Sequence, residues 1–308
     1  MKKIFLTGLL LSLVVVFSGC RAQIGGQADN EQQNDGQEIK ILKMGLIPAD
    51  DAEEMLRNYE PIKEYLSEKL GMPVEISVTS DYTAAIEAMR SKHIDMAWFG
   101  PFSYIIAANI ANAEAIVNGV KESTGSATYK SVIVANANSG IEKLEDLKGK
   151  SFAFVDPAST SGNLIPRKIL IENEIDPDND FSVSFFAGTH NAVEYAVANG
   201  KVDAGADSNN SYDRMVEAGE IDPEVNKIIY TSEEIPGSPI VVRGDLPAEF
   251  KDKIKQALID MDNQTIHKVD GWGDITSYQA VSDSDYDVIR KTAEILGMDV
   301  SSAEAASK

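Results

Sequence analysis

One cysteine, three histidines and two tryptophans are all that the 308 residues supply of those types. A single cysteine cannot close a disulfide within the chain, and it cannot form the paired thiols of a zinc ribbon or a redox motif. The histidines, His93, His190 and His267, share no metal-ligand spacing, so neither a metal nor an organic cofactor is expected. Positive charge is scarce too: 28 Lys and Arg stand against 49 Asp and Glu, a net charge of -21. Such a surface repels phosphodiester backbones, and no basic patch with interleaved aromatics reverses the field locally, which argues against nucleic acid as a partner. The apolar run Ile4 to Phe17 covers about fourteen positions, short of the ~20 that a spanning helix needs. What is present is an ordinary globular composition, 43% hydrophobic and 25% charged. The length suits roughly two domains of ordinary size.

Lys2 and Lys3 ahead of that apolar run make residues 1–19 an export signal. It ends in Phe17-Ser18-Gly19-Cys20. The small residues before the only cysteine resemble the lipobox of bacterial lipoproteins, which are cleaved before a cysteine that is then acylated. Phe17 departs from the usual Leu or Val, and the plainer alternative is a free cysteine at the end of an ordinary signal. Arg21 to Glu38 is rich in Gln, Asn, Gly and Asp, so residues 20–39 read as a lipidated cysteine and a flexible tether with a reach of roughly 25 Å. The expected location is the extracytoplasmic face of the cell membrane, held by the lipid alone.

From Lys40 the pattern changes. Ile41 to Ile47 reads as a buried strand, Ala52 to Leu70 as an amphipathic helix interrupted near Pro61, and Val74 to Val78 as an alternating strand. Tyr82 to Lys92 is helical and Ile94 to Phe99 a strand. Downstream the order recurs: strand Ser151 to Val155, helix Asn163 to Asn173, strand Phe181 to Phe186, helix Ala192 to Asn199, strand Val202 to Ala206. An apolar-Asp-small step follows a helix at both Ile94-Asp95-Met96-Ala97 and Val202-Asp203-Ala204-Gly205. The pattern predicts two α/β lobes with parallel sheets, 40–133 plus 240–308 and 134–239. Ser131 to Ala135 and Ile240 to Val242 read as the connecting strands of a hinge, and Pro247 to Gly297 as mainly helical. Two lobes on two connections can close on a small ligand.

The stretch Asp156-Pro157-Ala158-Ser159-Thr160-Ser161-Gly162 carries the strongest chemical signal. A strand runs into three consecutive hydroxyl residues at a helix start, whose free N–H groups and dipole bind oxyanions without a positive side chain. One hydroxyl is explained as a simple cap; three in a row favour an anion site. Asp156 reads as structural, because a carboxylate facing an anion opposes it. His190, between a strand and a helix, falls at the same sheet edge, though a lone histidine is as readily a satisfied structural residue. Tyr82 and Tyr129 are candidate phenol donors or packing residues, and Trp98 a candidate apolar wall.

These segments, with Ile94–Pro101, Tyr129–Val134, Gly188–His190 and Ile235–Pro239, resemble the phosphate, phosphite and phosphonate-binding proteins of bacterial ABC importers over about residues 40 to 265. The resemblance implies the two-lobed periplasmic-binding-protein fold, type II-like, with two hinge strands. It also implies that Tyr82, Tyr129, Ser159, Thr160, Ser161 and His190 hold a phosphonyl group. Where relatives that take aminoalkyl phosphonates carry acids, this sequence has Asn210 and Ser238. A buried ammonium would then lack its charge partner, which favours phosphite, methylphosphonate or another small phosphonate. The expected protein is a monomeric, lipid-anchored receptor that hands its ligand to an ABC permease. Rival readings are a sensor domain for a membrane kinase, and a phosphoryl-transfer enzyme using one of the three hydroxyls with His190 as base.

Overall fold

The computed structural model describes residues 39–121, 124–261 and 275–302. The leader, Cys20, the tether through Glu38 and His267 lie outside the described residues.

The first half opens as expected, with β1 (Leu42–Leu46), α1 (Ala52–Leu70), β2 (Val74–Val78), α2 (Tyr82–Arg90) and β3 (Met96–Trp98), followed by α3 (Pro101–Ala111) and β4 (Ala113–Lys121). Asp51 caps α1 by accepting from the Glu54 N–H at 3.0 Å, and Gly71 ends it in the left-handed conformation at φ 69°. The interruption expected at Pro61 does not occur. Proline removes the bond to the carbonyl four residues back, and that residue, Arg57, is exposed, where water serves the freed oxygen. Met55, Tyr59, Ile62, Leu66 and Leu70 are buried along one face and hold the helix to the sheet.

The chain continues through β5 (Thr128–Tyr129), β6 (Ser131–Asn136), β7 (Ser151–Phe154), α4 (Ile165–Glu172), β8 (Val183–Phe186), α5 (His190–Ala198), β9 (Ala204–Ser208), α6 (Asn209–Glu217) and β10 (Asn226–Thr231). It returns by β11 (Ile235–Pro236), β12 (Pro239–Arg243), α7 (Ala248–Ile259), β13 (Ile275–Ala280) and α8 (Asp287–Ile295). One sheet has the order β13-β4-β12-β3-β1-β2 and the other β10-β6-β9-β7-β8. Each lobe is built on one of them.

The expectation of parallel sheets needs correcting. β1 runs parallel to β2 and β3, and β7 to β8 and β9, but β12, β4 and β13 are antiparallel additions to the first sheet, as β6 and β10 are to the second. β12 and β6 therefore run against the βαβ core, while β4 and β10, each antiparallel to one of these, run with it again. The tail departs from expectation as well, because β13 interrupts the helices by pairing with β4.

The repeated apolar-Asp-small step has a physical cause. The Asp95 carboxylate accepts from the Lys43 N–H at 2.9 Å. In the other sheet Asp203 accepts from the Ser151 N–H at 2.8 Å, across the same sequence separation of 52. Each acid fastens the start of the first strand of its lobe's βαβ unit, β1 in one and β7 in the other.

Both passes between the sheets run through a two-stranded ribbon in which Tyr129 pairs with Ile235 and Thr128 with Pro236. Gly237 closes it, donating its N–H to the Ala127 carbonyl at 2.7 Å. A Cβ at Gly237 would fall 2.6 Å from that carbonyl oxygen, so any larger residue would force the ribbon apart.

Candidate functional site

β7 ends at Phe154 and the chain turns back against it. Ser159 Oγ caps the turn by accepting from the Gly162 N–H at 3.0 Å. The helix does not begin at Asn163 as expected. Thr160–Leu164 form one π-helical turn, and regular helix starts at Ile165. Pro166 supplies no N–H to the Gly162 carbonyl, which instead accepts from the Val155 N–H at 3.0 Å and ties the turn to the strand. Gly162 lies so close to Val155 that an added Cβ would sit 2.2 Å from its Cγ2. Ser159, Thr160 and Ser161 are buried by this packing.

All eight candidates, Tyr82, Tyr129, Ser159, Thr160, Ser161, His190, Asn210 and Ser238, line one cavity between the lobes, together with Trp98, Asp50 and Lys121. Its volume is about 90 Å³, far below the ~300–1,000 Å³ of pockets that hold drug-sized ligands. It suits an ion of a few heavy atoms.

Helix ends surround it. Tyr82 is the first residue of α2, Gly100 the N-cap of α3, Thr160 the first residue of the turn entering α4, His190 the first of α5, and Ser208 the N-cap of α6. Each of these five residues lines the cavity. Five positive dipole ends therefore bear on one small space, which supplies an anion's potential in a chain of net charge -21.

The side chains add hydrogen-bond donors. Burial pushes the Tyr129 phenol up to about 12, although bonds to Thr160, Ser161 and Ser238 partly offset this. Burial also raises Tyr82 well above its ordinary value, with the negative charge of Asp156 next in effect, against a bond to Ser159. Both phenols keep their protons at neutral pH. His190 is shifted down, chiefly by burial, so its ring is neutral. Its Nδ1 lies 2.5 Å from Asp207 Oδ1.

Bonds across the cleft show the lobes closed on each other. The Phe102 N–H of α3 donates to Thr160 Oγ1 at 2.8 Å, and the His190 N–H to the Ala49 carbonyl at 2.8 Å. Asp156 accepts from the Tyr82 backbone N–H as well as from Ala158 at 2.8 Å, so its expected structural role includes joining the lobes. Arg214 on α6 reaches Asp50 at 2.6 Å and Glu54 at 3.3 Å on the first lobe. Lys121 donates to Asn210 Oδ1.

Sequence reasoning missed Asp50, Lys121, Asp207 and Arg214. No local motif marks them. The one available signal was position: Asp207 closes β9 at the sheet edge that holds His190.

A two-lobed α/β body with an anion-sized cavity at the strand ends belongs to the periplasmic substrate-binding class. Within it, the family model described as "ABC transporter, phosphonate, periplasmic substrate-binding protein" matches residues 44–286, and the chain belongs to that family. It is 32% identical over 277 residues to the phosphate-import protein PhnD of Mycolicibacterium smegmatis, covering 84% of this chain and 86% of that protein. A solved binding-protein component of an ABC phosphonate transporter from Pseudomonas aeruginosa superposes with a TM-score of 0.78 at 28% identity, over 84% of this chain and 87% of the other. PhnD1 of Prochlorococcus marinus, solved with methylphosphonate, shares the fold with a TM-score of 0.77 at 23% identity, over 84% and 98% of the two chains. The protein is thus the extracytoplasmic phosphonate-binding component of an ABC importer; the family is one of transport receptors, not enzymes.

Proposed function

We propose that this receptor captures phosphite, methylphosphonate or a phosphonate of similar size by lobe closure, and presents it to a membrane permease while tethered through an acylated Cys20. The observation that carries the ligand reading is the cavity of about 90 Å³ ringed by helix N-termini and by the buried hydroxyls of Ser159, Thr160 and Ser161. Tyr82, Tyr129 and His190 complete the shell for the phosphonyl oxygens.

The tail end of the cavity argues against an aminoalkyl phosphonate. Asn210 offers no negative charge, and its amide oxygen is held by the Lys121 ammonium. A ligand ammonium placed there would meet a like charge instead of a carboxylate. Asp50 is the acid on the cavity wall, and it already pairs with Arg214.

Titration calorimetry with phosphate, phosphite, methylphosphonate and aminoethylphosphonate tests the ligand class. Methylphosphonate or phosphite is expected to bind most tightly, and tighter binding of aminoethylphosphonate would sink the assignment. Cys20→Ser should move the protein from the membrane fraction to the soluble one.

A further inference from the structure

Behind the cavity lies a buried acid pair. Asp207 and Glu194 are both 0% exposed. Asp207 Oδ1 accepts from the Ser208 N–H at 2.6 Å and contacts His190 Nδ1 at 2.5 Å. Glu194 Oε2 accepts from Asn226 Nδ2 at 2.6 Å. The remaining oxygens, Glu194 Oε1 and Asp207 Oδ2, find no N–H or O–H donor, and the two buried carboxyl groups act directly on each other. Two buried carboxylates that lack donors repel each other, so the pair keeps one proton.

Glu194 carries it. Burial pushes the Glu194 carboxyl well above its ordinary range, with the Asp207 charge adding to it, whereas burial raises Asp207 only to about 7 against the Ser208 N–H, so Asp207 is the anion of the pair above neutral pH. An ionised Asp207 is an acceptor only, and it therefore fixes the proton of neutral His190 on Nδ1. Nε2 is then the ring's single polar atom left to meet a ligand, and it has a lone pair and no hydrogen. The other charged groups near the ring are Asp50 and Arg214, which neutralise each other.

We propose that the Glu194–Asp207 pair makes His190 Nε2 an obligate acceptor, so that the site reads ligand protonation and takes the phosphonate monoanion that still carries a P–OH. Asp207 and Glu194 are positioning residues, and His190 is the group that meets the ligand. The P–OH donates to Nε2, while the unprotonated oxygens face the hydroxyl and helix-end donors. A dianion or a sulfonate, having no proton to offer, sets an oxygen lone pair against a nitrogen lone pair. A site built to accept from a ligand hydroxyl rejects analogues lacking it strongly. This discrimination rests on the reading of the cavity as a phosphonate site.

Calorimetry with methylphosphonate and methanesulfonate, near isosteres that differ in having a P–OH, tests it between pH 6 and 9. For the wild type, the methylphosphonate Kd should rise about tenfold per pH unit above the ligand's second ionisation, and methanesulfonate should bind at least ~100-fold more weakly at pH 7. Glu194→Gln should keep both properties, because its amide can donate to Asp207 and accept from Asn226. Asp207→Leu, if it folds, frees the tautomer and should shrink the preference for methylphosphonate at least tenfold. Methanesulfonate within threefold of methylphosphonate, a pH-independent Kd, or loss of the preference in Glu194→Gln would overturn the inference while leaving the phosphonate site standing. Absence of methylphosphonate binding at every pH would overturn both.

Discussion

Thr160→Val removes one oxygen while keeping the shape of the side chain. In the closed structure that oxygen accepts the Phe102 N–H at 2.8 Å across a sequence separation of 58. Phe102 is the second residue of α3, and its N–H is among those a helix cannot satisfy within itself. Valine would leave this buried donor without a partner, at a cost of about 1–3 kcal/mol. The bond joins the two lobes, so the loss falls on the closed form alone; in an opened cleft the N–H turns to water. Ligand affinity should therefore drop by roughly 5- to 150-fold, while the unfolding midpoint of the ligand-free chain barely moves. Calorimetry with methylphosphonate, paired with urea unfolding, separates the two quantities. An affinity within twofold of wild type, or a loss that appears wholly in ligand-free stability, would refute closure as the step this bond serves.

Arg214→Met should act in the same sense. It strips the cation from Asp50, whose side chain is 9% exposed, and an uncompensated buried charge costs about 3–5 kcal/mol. Affinity should fall by on the order of 100-fold or more, measured against an unchanged far-UV spectrum. Asp156 gives a pH effect of definite sign. Burial, opposed by the Ala158 and Tyr82 N–H bonds, raises its carboxyl to about 6 from 3.8. The fold thus favours the protonated form, and the resulting stability is full below pH ~4 and lost as pH rises through ~6, at most about 3 kcal/mol. Asp156→Asn keeps the accepting oxygen and should flatten that part of the urea-unfolding profile between pH 4.5 and 7.5; an unchanged slope would count against it.

How far the sequence could be read depended on the range of the forces involved. β1 was legible because a central strand buried on both faces leaves a continuous apolar run, Leu42–Leu46 with only Lys43 exposed. The hydroxyl loop was legible because its chemistry is local, and Asp95 and Asp203 because each lobe repeats the same fastening of the first strand of its βαβ unit. The π-helical turn at Thr160 was not, since it depends on Pro166 leaving the Gly162 carbonyl free to accept the Val155 N–H of the neighbouring strand end. Nor was the clasp from Ser211 and Arg214 to Asp50, whose members meet across a separation of about 161 residues and share no motif. β13 escaped because its strand character comes from pairing with β4 rather than from its own alternation.

The central claim is that the cavity under Ser159, Thr160 and Ser161 holds one small phosphorus oxyanion. Titration of the chain with methylphosphonate, for the wild type and for Ser161→Ala, tests it directly. Saturable binding of one ligand per chain, weakened at least tenfold by the substitution with the fold intact, is the predicted result. No saturable binding of methylphosphonate, phosphite or phosphate to the wild type, or equal affinity in Ser161→Ala, would contradict it.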